Sequence, residues 1–148
     1  MKIAIGCDHR GVDHKNLIID ELVTLGHELI DCGRDGSALA DYPDPAFAVG
    51  NNIAEKKCDC GVLICGSGIG VSIASNKVQG VRAALCWTVE MSKTTRQHND
   101  SNVICFSGDY SSPGQALEMT LAWLDSDFEG GRHSRRVQKI IDFETGSK

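Results

Sequence analysis

Residues 64–71, ICGSGIGV, close an apolar run with Cys65 and then place glycines at 66, 68 and 70. Three chemistries compete for such a segment: a dinucleotide loop, a cysteine nucleophile, or a thiol that works together with backbone N–H groups. The dinucleotide fingerprint is GxGxxG after a first strand, with an acid about 20 positions on for the ribose. Here the spacing is GxGxG, it follows the third apolar run, and Leu85 and Cys86 stand where the acid belongs. A nucleotide P-loop ends its glycines in Lys-Ser/Thr, and Val71-Ser72 does not match. What remains is a loop of N–H groups opening a helix, with the Ser67 hydroxyl inside it, suited to an anion or an oxyanion. The same positive helix end favours the thiolate of a nearby cysteine, so Cys65 reads as a base or a nucleophile.

Other reactive side chains are scattered along the chain. His98 lies in RQHND at a predicted helix C-terminus, where an imidazole serves either catalysis or the helix dipole. Arg132 and Arg136, four apart after Gly130-Gly131, share one helix face; this is either a solvated face or a paired-guanidinium clamp for a phosphate dianion. His14 on the first helix and His27 after its cap read as solvated. Cys58, Cys60 and Cys65 do not make a zinc site, because Cys60 precedes a strand that Cys65 ends, about 16 Å away. The CDC at 58–60 is not the CxxC of a thiol redox protein.

The elements that must position these groups alternate, β-rich runs with helical patterns, as in a parallel sheet covered by helices. Strands are predicted over 2–7, 28–32, 61–65, 81–86 and 102–106. Helices are predicted near 11–25, 44–57, 69–77, 89–98, 113–125 and 131–143. Asp44-Pro45 and Ser112-Pro113 each supply a cap before a proline at the first helical position, Gln115 completes a capping box with Ser112, and Gly26 closes the first helix. Leu17, Ile18, Leu22 and Leu25 recur at helical spacing and lay that helix on the sheet. Open parallel sheets bind ligands at the carboxyl ends of their strands. The residues there are Asp8-His9-Arg10, Gly33 onward, Gly66-Ser67-Gly68, Trp87, and Ser107 onward. If the third strand lies beside the first, Asp8 and His9 stand about one strand spacing, ~5 Å, from Cys65.

A chain of 148 residues fits one domain, 1–148, around a single core. Its 41% hydrophobic and 24% charged residues are those of an ordinary soluble protein. A formal charge of -5 excludes a broad nucleic-acid surface, while leaving room for a local basic cluster in GGRHSRRV. The N-terminal apolar stretch is too short for a signal peptide, no run reaches membrane-spanning length, and the seven cysteines are expected to be reduced in a cytoplasmic protein.

Taken together, GCDHRG at 6–11, DYPD at 41–44, ICGSGIGVSIASNKVQGVRAALC at 64–86, RQHNDSNV at 96–103 and EGGRHSRRV at 129–137 resemble the ribose-5-phosphate isomerase B family, which includes galactose-6-phosphate and allose-6-phosphate isomerases. The resemblance spans nearly the whole chain. It implies an α/β, Rossmann-like three-layer domain with a five-stranded parallel sheet and a C-terminal helical extension. It also implies a homodimer or dimer of dimers, an active site at the subunit interface, and neither metal nor cofactor. By the same resemblance Cys65 is the base that moves a proton between C2 and C1 of an open-chain sugar, and Gly66, Ser67, Gly68 and Gly70 hold the enediolate oxygens. His98 opens the sugar ring with help from Asp8, Tyr42 and Asn99 contact the sugar, and His9, Arg132 and Arg136 bind the phosphate. Two departures stand out. Asp109 occupies a segment where many relatives carry a phosphate-assisting arginine, and Val71 replaces the glutamate base of one branch. The substrate so implied is ribose 5-phosphate; a six-carbon sugar phosphate, or a sensor that binds without turnover, are the alternatives.

Overall fold

The computed structural model describes residues 1–33 and 41–147. The apolar runs form strands β1 (Lys2–Cys7), β2 (Glu28–Asp31), β3 (Cys60–Cys65), β4 (Ala83–Leu85) and β5 (Val103–Ser107). Between and after them run helices α1 (Val12–Thr24), α2 (Pro43–Ala54), α3 (Ile69–Ser75), α4 (Val89–Asn99), α5 (Pro113–Leu124) and α6 (Arg132–Thr145). All strand pairs are parallel, in the order β2-β1-β3-β5-β4. The expected neighbouring of β1 and β3 is present, with Cys7 opposite Ile64, so that Asp8 and Cys65 leave the sheet side by side.

β3, β1 after Lys2 and β5 before Ser107 carry no charged or polar side chain other than cysteine, because helices cover both of their faces. On one face Ile3, Ile5, Val62, Ile64, Ile104 and Phe106 pack with Ile18, Leu22, Met119 and Trp123 of α1 and α5. On the other, Ala4, Leu63, Cys65 and Cys105 pack with Ala46, Val49, Val71 and Ala74 of α2 and α3. Cys65 therefore belongs to the α2–α3 face. Gly61 admits this packing: a methyl there would stand 2.5 Å from Val49 Cγ1.

Several local expectations need correction. α2 begins at Pro43 with Tyr42 at its N-cap, so Asp44 lies in the first turn and caps nothing; Pro43 at the first helical position favours the earlier start. On α1 the buried positions are His14, Lys15, Ile18 and Leu22, while Leu17 and Leu25 are exposed. His14 is therefore not solvated: its Nε2 lies 2.7 Å from the Ser111 carbonyl, and its buried Nδ1 has no partner among the described residues. β4 keeps only three residues of the predicted run, being an edge strand with a neighbour on one side. Residues 34–40, which follow Gly33, lie outside the described residues. Other signals hold. Ser112 and Gln115 form the reciprocal capping box, and Gly26, at φ +83°, follows the end of α1. Among the described residues no helix is long and apolar enough to cross a membrane.

Candidate active site

The residues singled out for chemistry fall into two clusters at opposite ends of the sheet. At the carboxyl edge, β3 delivers Cys65, buried at 4% exposure, directly into the glycine loop. The loop is clasped by the turn after β5: the Gly108 N–H donates to the Cys65 carbonyl (2.8 Å), and the Asp109 N–H (3.0 Å) and the Ser107 hydroxyl (2.6 Å) donate to that of Gly66. Ser107 Oγ also accepts from the N–H groups of Asp109 and Tyr110, at 3.2 and 2.9 Å. Both carbonyls are thus turned toward β5, and neither opposes an anion in the crevice. Ser67 Oγ accepts the Ile69 N–H at 3.2 Å, and Gly68, at φ +75°, turns the chain into α3. A side chain at Gly68 would strike Leu85 Cδ1 at 2.6 Å and the Phe106 backbone at 2.8 Å.

Beside the loop stand Asp8, His9 and Tyr42. Asp8 is 8% exposed, its N–H donates to the Ile64 carbonyl (3.1 Å), and its Oδ1 accepts the Arg10 N–H at 2.8 Å. His9 is exposed at the rim. The Tyr42 ring lies over Gly70, where an added methyl would meet it at 2.7 Å. Trp87 at the end of β4 packs on Tyr110, ring centroids 6.2 Å apart, and the two border a cavity of about 270 Å³.

The second cluster is at the amino edge. α4 leaves the carboxyl end of β4 and runs back past the sheet, so its last residues, His98 and Asn99, stand just before the start of β5. Asp100, in a left-handed conformation at φ 48°, ends the helix, and its carboxylate takes Arg82 (2.8 Å) and Arg96 (2.7 Å). Gly130 and Gly131, both at positive φ, then turn the chain into α6. That helix buries His133 and Val137 and leaves Arg132 and Arg136 exposed on one face. The His98 and His133 rings stack at 4.2 Å with 5° between planes. Glu129 Oε2 lies 3.6 Å from Nε2 of His98 and 3.9 Å from that of His133, and its N–H is anchored on the Gln97 carbonyl at 3.0 Å. Burial, then the neighbouring His98, Arg132 and Arg136, hold the His133 pKa below its ordinary 6.5.

His98, Glu129 and His133 present three ligand-type atoms within 4.8 Å of one another. However, Arg132 Nε already donates to His133 Nε2 at 3.3 Å. Two guanidiniums at this spot suit an anion better than a cation.

The single chain therefore brings together Asp8, His9, Tyr42, Cys65, Gly66, Ser67, Gly68 and Gly70, and separately His98, Asn99, Arg132 and Arg136. It does not bring the two groups to each other. The six residues of β3 and the eleven of α4 each span about 16 Å, and the groups lie beyond opposite ends of that span. Glu129 and His133 were not legible as site residues, and Ser107 was legible only by its place at the carboxyl edge, not by its bonds to the glycine loop. For His133 the signal was its spacing of four from Val137, which marks the buried stripe of α6.

The chain matches known proteins over nearly its whole length. A family model described as Ribose/Galactose Isomerase matches residues 3–140. Ribose-5-phosphate isomerase B of Escherichia coli (strain K12) is 43% identical over 143 residues, 97% of this chain and 96% of that protein. The structure of ribose-5-phosphate isomerase B from Clostridium thermocellum is similar with a TM-score of 0.95 at 42% identity, covering 100% of both chains. That of the Mycoplasma genitalium ribose-5-phosphate isomerase B with bound ribulose 5-phosphate has a TM-score of 0.94 at 39% identity, covering 97% of this chain and 96% of that one.

Proposed function

Because the chain belongs to the ribose/galactose isomerase family, we propose that it interconverts ribose 5-phosphate and ribulose 5-phosphate at a site completed by a second copy of itself. The observation that carries the reading is Cys65 at a strand end, flanked by Asp8 and by a glycine loop whose first carbonyls are turned away from the crevice.

The cyclic sugar must open before its carbons can react. His98 moves the proton between ring oxygen and anomeric hydroxyl, assisted by Asp8 across the subunit boundary; the stack on His133 and the Glu129 carboxylate hold the imidazole in place. The Cys65 thiolate then removes the proton from C2 of the aldehyde. Electrons flow to O1, and the enediolate oxygens face the Ser67 hydroxyl and the N–H groups of Gly66, Ser67, Gly68 and Gly70. The thiol returns its proton to C1 while the hydroxyl proton passes from O2 to O1, leaving the ketose. Hydrogen leaves and returns within one molecule, so the balance calls for no external redox carrier. Tyr42 and Asn99 contact the sugar hydroxyls, and His9, Arg132 and Arg136 bind the phosphate.

The span 1–148 acts as one domain in this reading, and the distance between the two clusters supports a homodimer, alone or paired into a dimer of dimers. The seven free cysteines favour a reducing compartment, and we place the protein in the cytoplasm. The test is a coupled isomerase assay over a panel of pentose and hexose phosphates. Cys65→Ala is expected to lower kcat by about 10²–10⁴, and full turnover in that variant would remove the assigned base. Arg136→Ala is expected to act chiefly on KM; an unchanged KM would move the phosphate elsewhere.

A further inference from the structure

The carboxyl edge holds an ion pair that the steps above do not use. Arg10 lies two residues beyond Asp8, and its side chain reaches across the sheet edge to the turn after β5. There its Nε and Nη2 both meet Asp109 Oδ1, at 2.8 and 2.6 Å. The pair roofs the glycine loop: a methyl placed on Gly66 would stand 3.0 Å from Asp109 Oδ2 and 3.7 Å from Arg10 Cγ. Three segments fix it. The Arg10 N–H is held by Asp8 Oδ1, and the Asp109 N–H by the Gly66 carbonyl and Ser107 Oγ. A side chain at Gly108 would collide with the Arg10 carbonyl, so the turn after β5 presses on the Arg10 backbone through a glycine.

As a stabilising contact this pair is minor, since the two side chains are 55% and 33% exposed and water screens them. Its consequence lies in where the charges stand. Alone, Asp109 would place a carboxylate over the loop that must face a dianionic substrate. With Oδ1 taken by Arg10 that charge is cancelled, and the planar guanidinium is held in one orientation. Its Nη1, which no described residue engages, remains to donate.

We propose that Arg10 is a phosphate ligand of this site, supplied by the same chain as Cys65, and that Asp109 is its positioning residue. The proposal rests on the sugar-phosphate reading above. It gives the phosphate a cation at the carboxyl edge in addition to Arg132 and Arg136, which the fold sets at the opposite edge and a second copy would bring.

Two readouts test it: steady-state kinetics with ribose 5-phosphate, and calorimetric titration with inorganic phosphate, both at one fixed ionic strength because exposed charges are salt-sensitive. Arg10→Ala is expected to raise KM about tenfold with kcat within about twofold, and to weaken inorganic phosphate by a similar factor. Asp109→Ala separates positioning from repulsion. As a positioning residue its loss raises KM by about threefold, whereas a carboxylate that only repels phosphate would lower KM when removed. In the Arg10→Ala background the sign reverses: removing Asp109 then lowers KM, because the carboxylate is unpaired beside the anion. Arg10→Lys keeps the charge without the fork and is expected to fall between wild type and Arg10→Ala. Unchanged KM and phosphate affinity in Arg10→Ala would overturn the proposal, and so would a fall in kcat alone, which would set the guanidinium at the reacting carbons. If the wild-type chain turns over no aldose phosphate, the isomerase reading fails, while the phosphate titration still decides the role of Arg10.

Discussion

His133 shows how one buried residue can tie stability to pH. Its pKa is lowered, first by burial and then by the charges of His98, Arg132 and Arg136, with Glu129 opposing them. The unfolded chain, titrating near the ordinary 6.5, therefore binds a proton before the folded one does. Below that value the unfolded state holds more protons, so stability falls with pH until the folded imidazole also titrates. The melting temperature is expected to drop between pH 7 and pH 5.5, and His133→Gln is expected to flatten that part of the profile. A profile identical to wild type would mean that His133 keeps its proton balance on folding. The residue also marks where reading a sequence ends. Cys65 and its glycines were legible because their spacing is itself the chemistry. His133, Glu129 and Ser107 matter through neighbours dozens of residues away, and no local pattern records those contacts.

At the scale of elements, strand existence and helix type were legible because hydrophobic period decides them, and the Ser112–Gln115 box was legible because capping is local. The order of β4 and β5 was not. Crossover connections leave no trace in composition, and β5 sits beside β3 because its fully buried run needs cover on both faces, whereas half-buried β4 tolerates the edge. α1 misled because its apolar leucines partly face solvent, while His14 and Lys15 take inner positions with polar partners, the Ser111 carbonyl and Asp31. The clasp between the β3 and β5 turns is an element-scale device, since one buried hydroxyl, Ser107, serves both. Ser107→Ala would remove a donor to Gly66 and strand the Tyr110 N–H, while the Asp109 N–H keeps the Gly66 carbonyl. It is expected to cost about 1–3 kcal/mol, read from the urea midpoint, and to lower kcat by releasing the loop. A variant with wild-type kcat would show that the loop holds its shape without the clasp.

The whole molecule carries the reactive groups at two ends. If each site takes Cys65 from one copy and His98 from another, Cys65→Ala and His98→Asn should complement. A pair made of one of each has one doubly damaged site and one intact site. Unfolding and refolding an equimolar mixture is expected to restore about a quarter of wild-type activity, from random pairing of two inactive chains. No recovery would mean that each chain works alone. The same separation has a kinetic consequence. A lone chain holds half of the machinery, so under extreme dilution the initial rate should scale with the square of the chain concentration rather than in proportion to it. Specific activity is then a variable of the solution, and for a cell, halving the supply of this chain can cost more than half of its capacity.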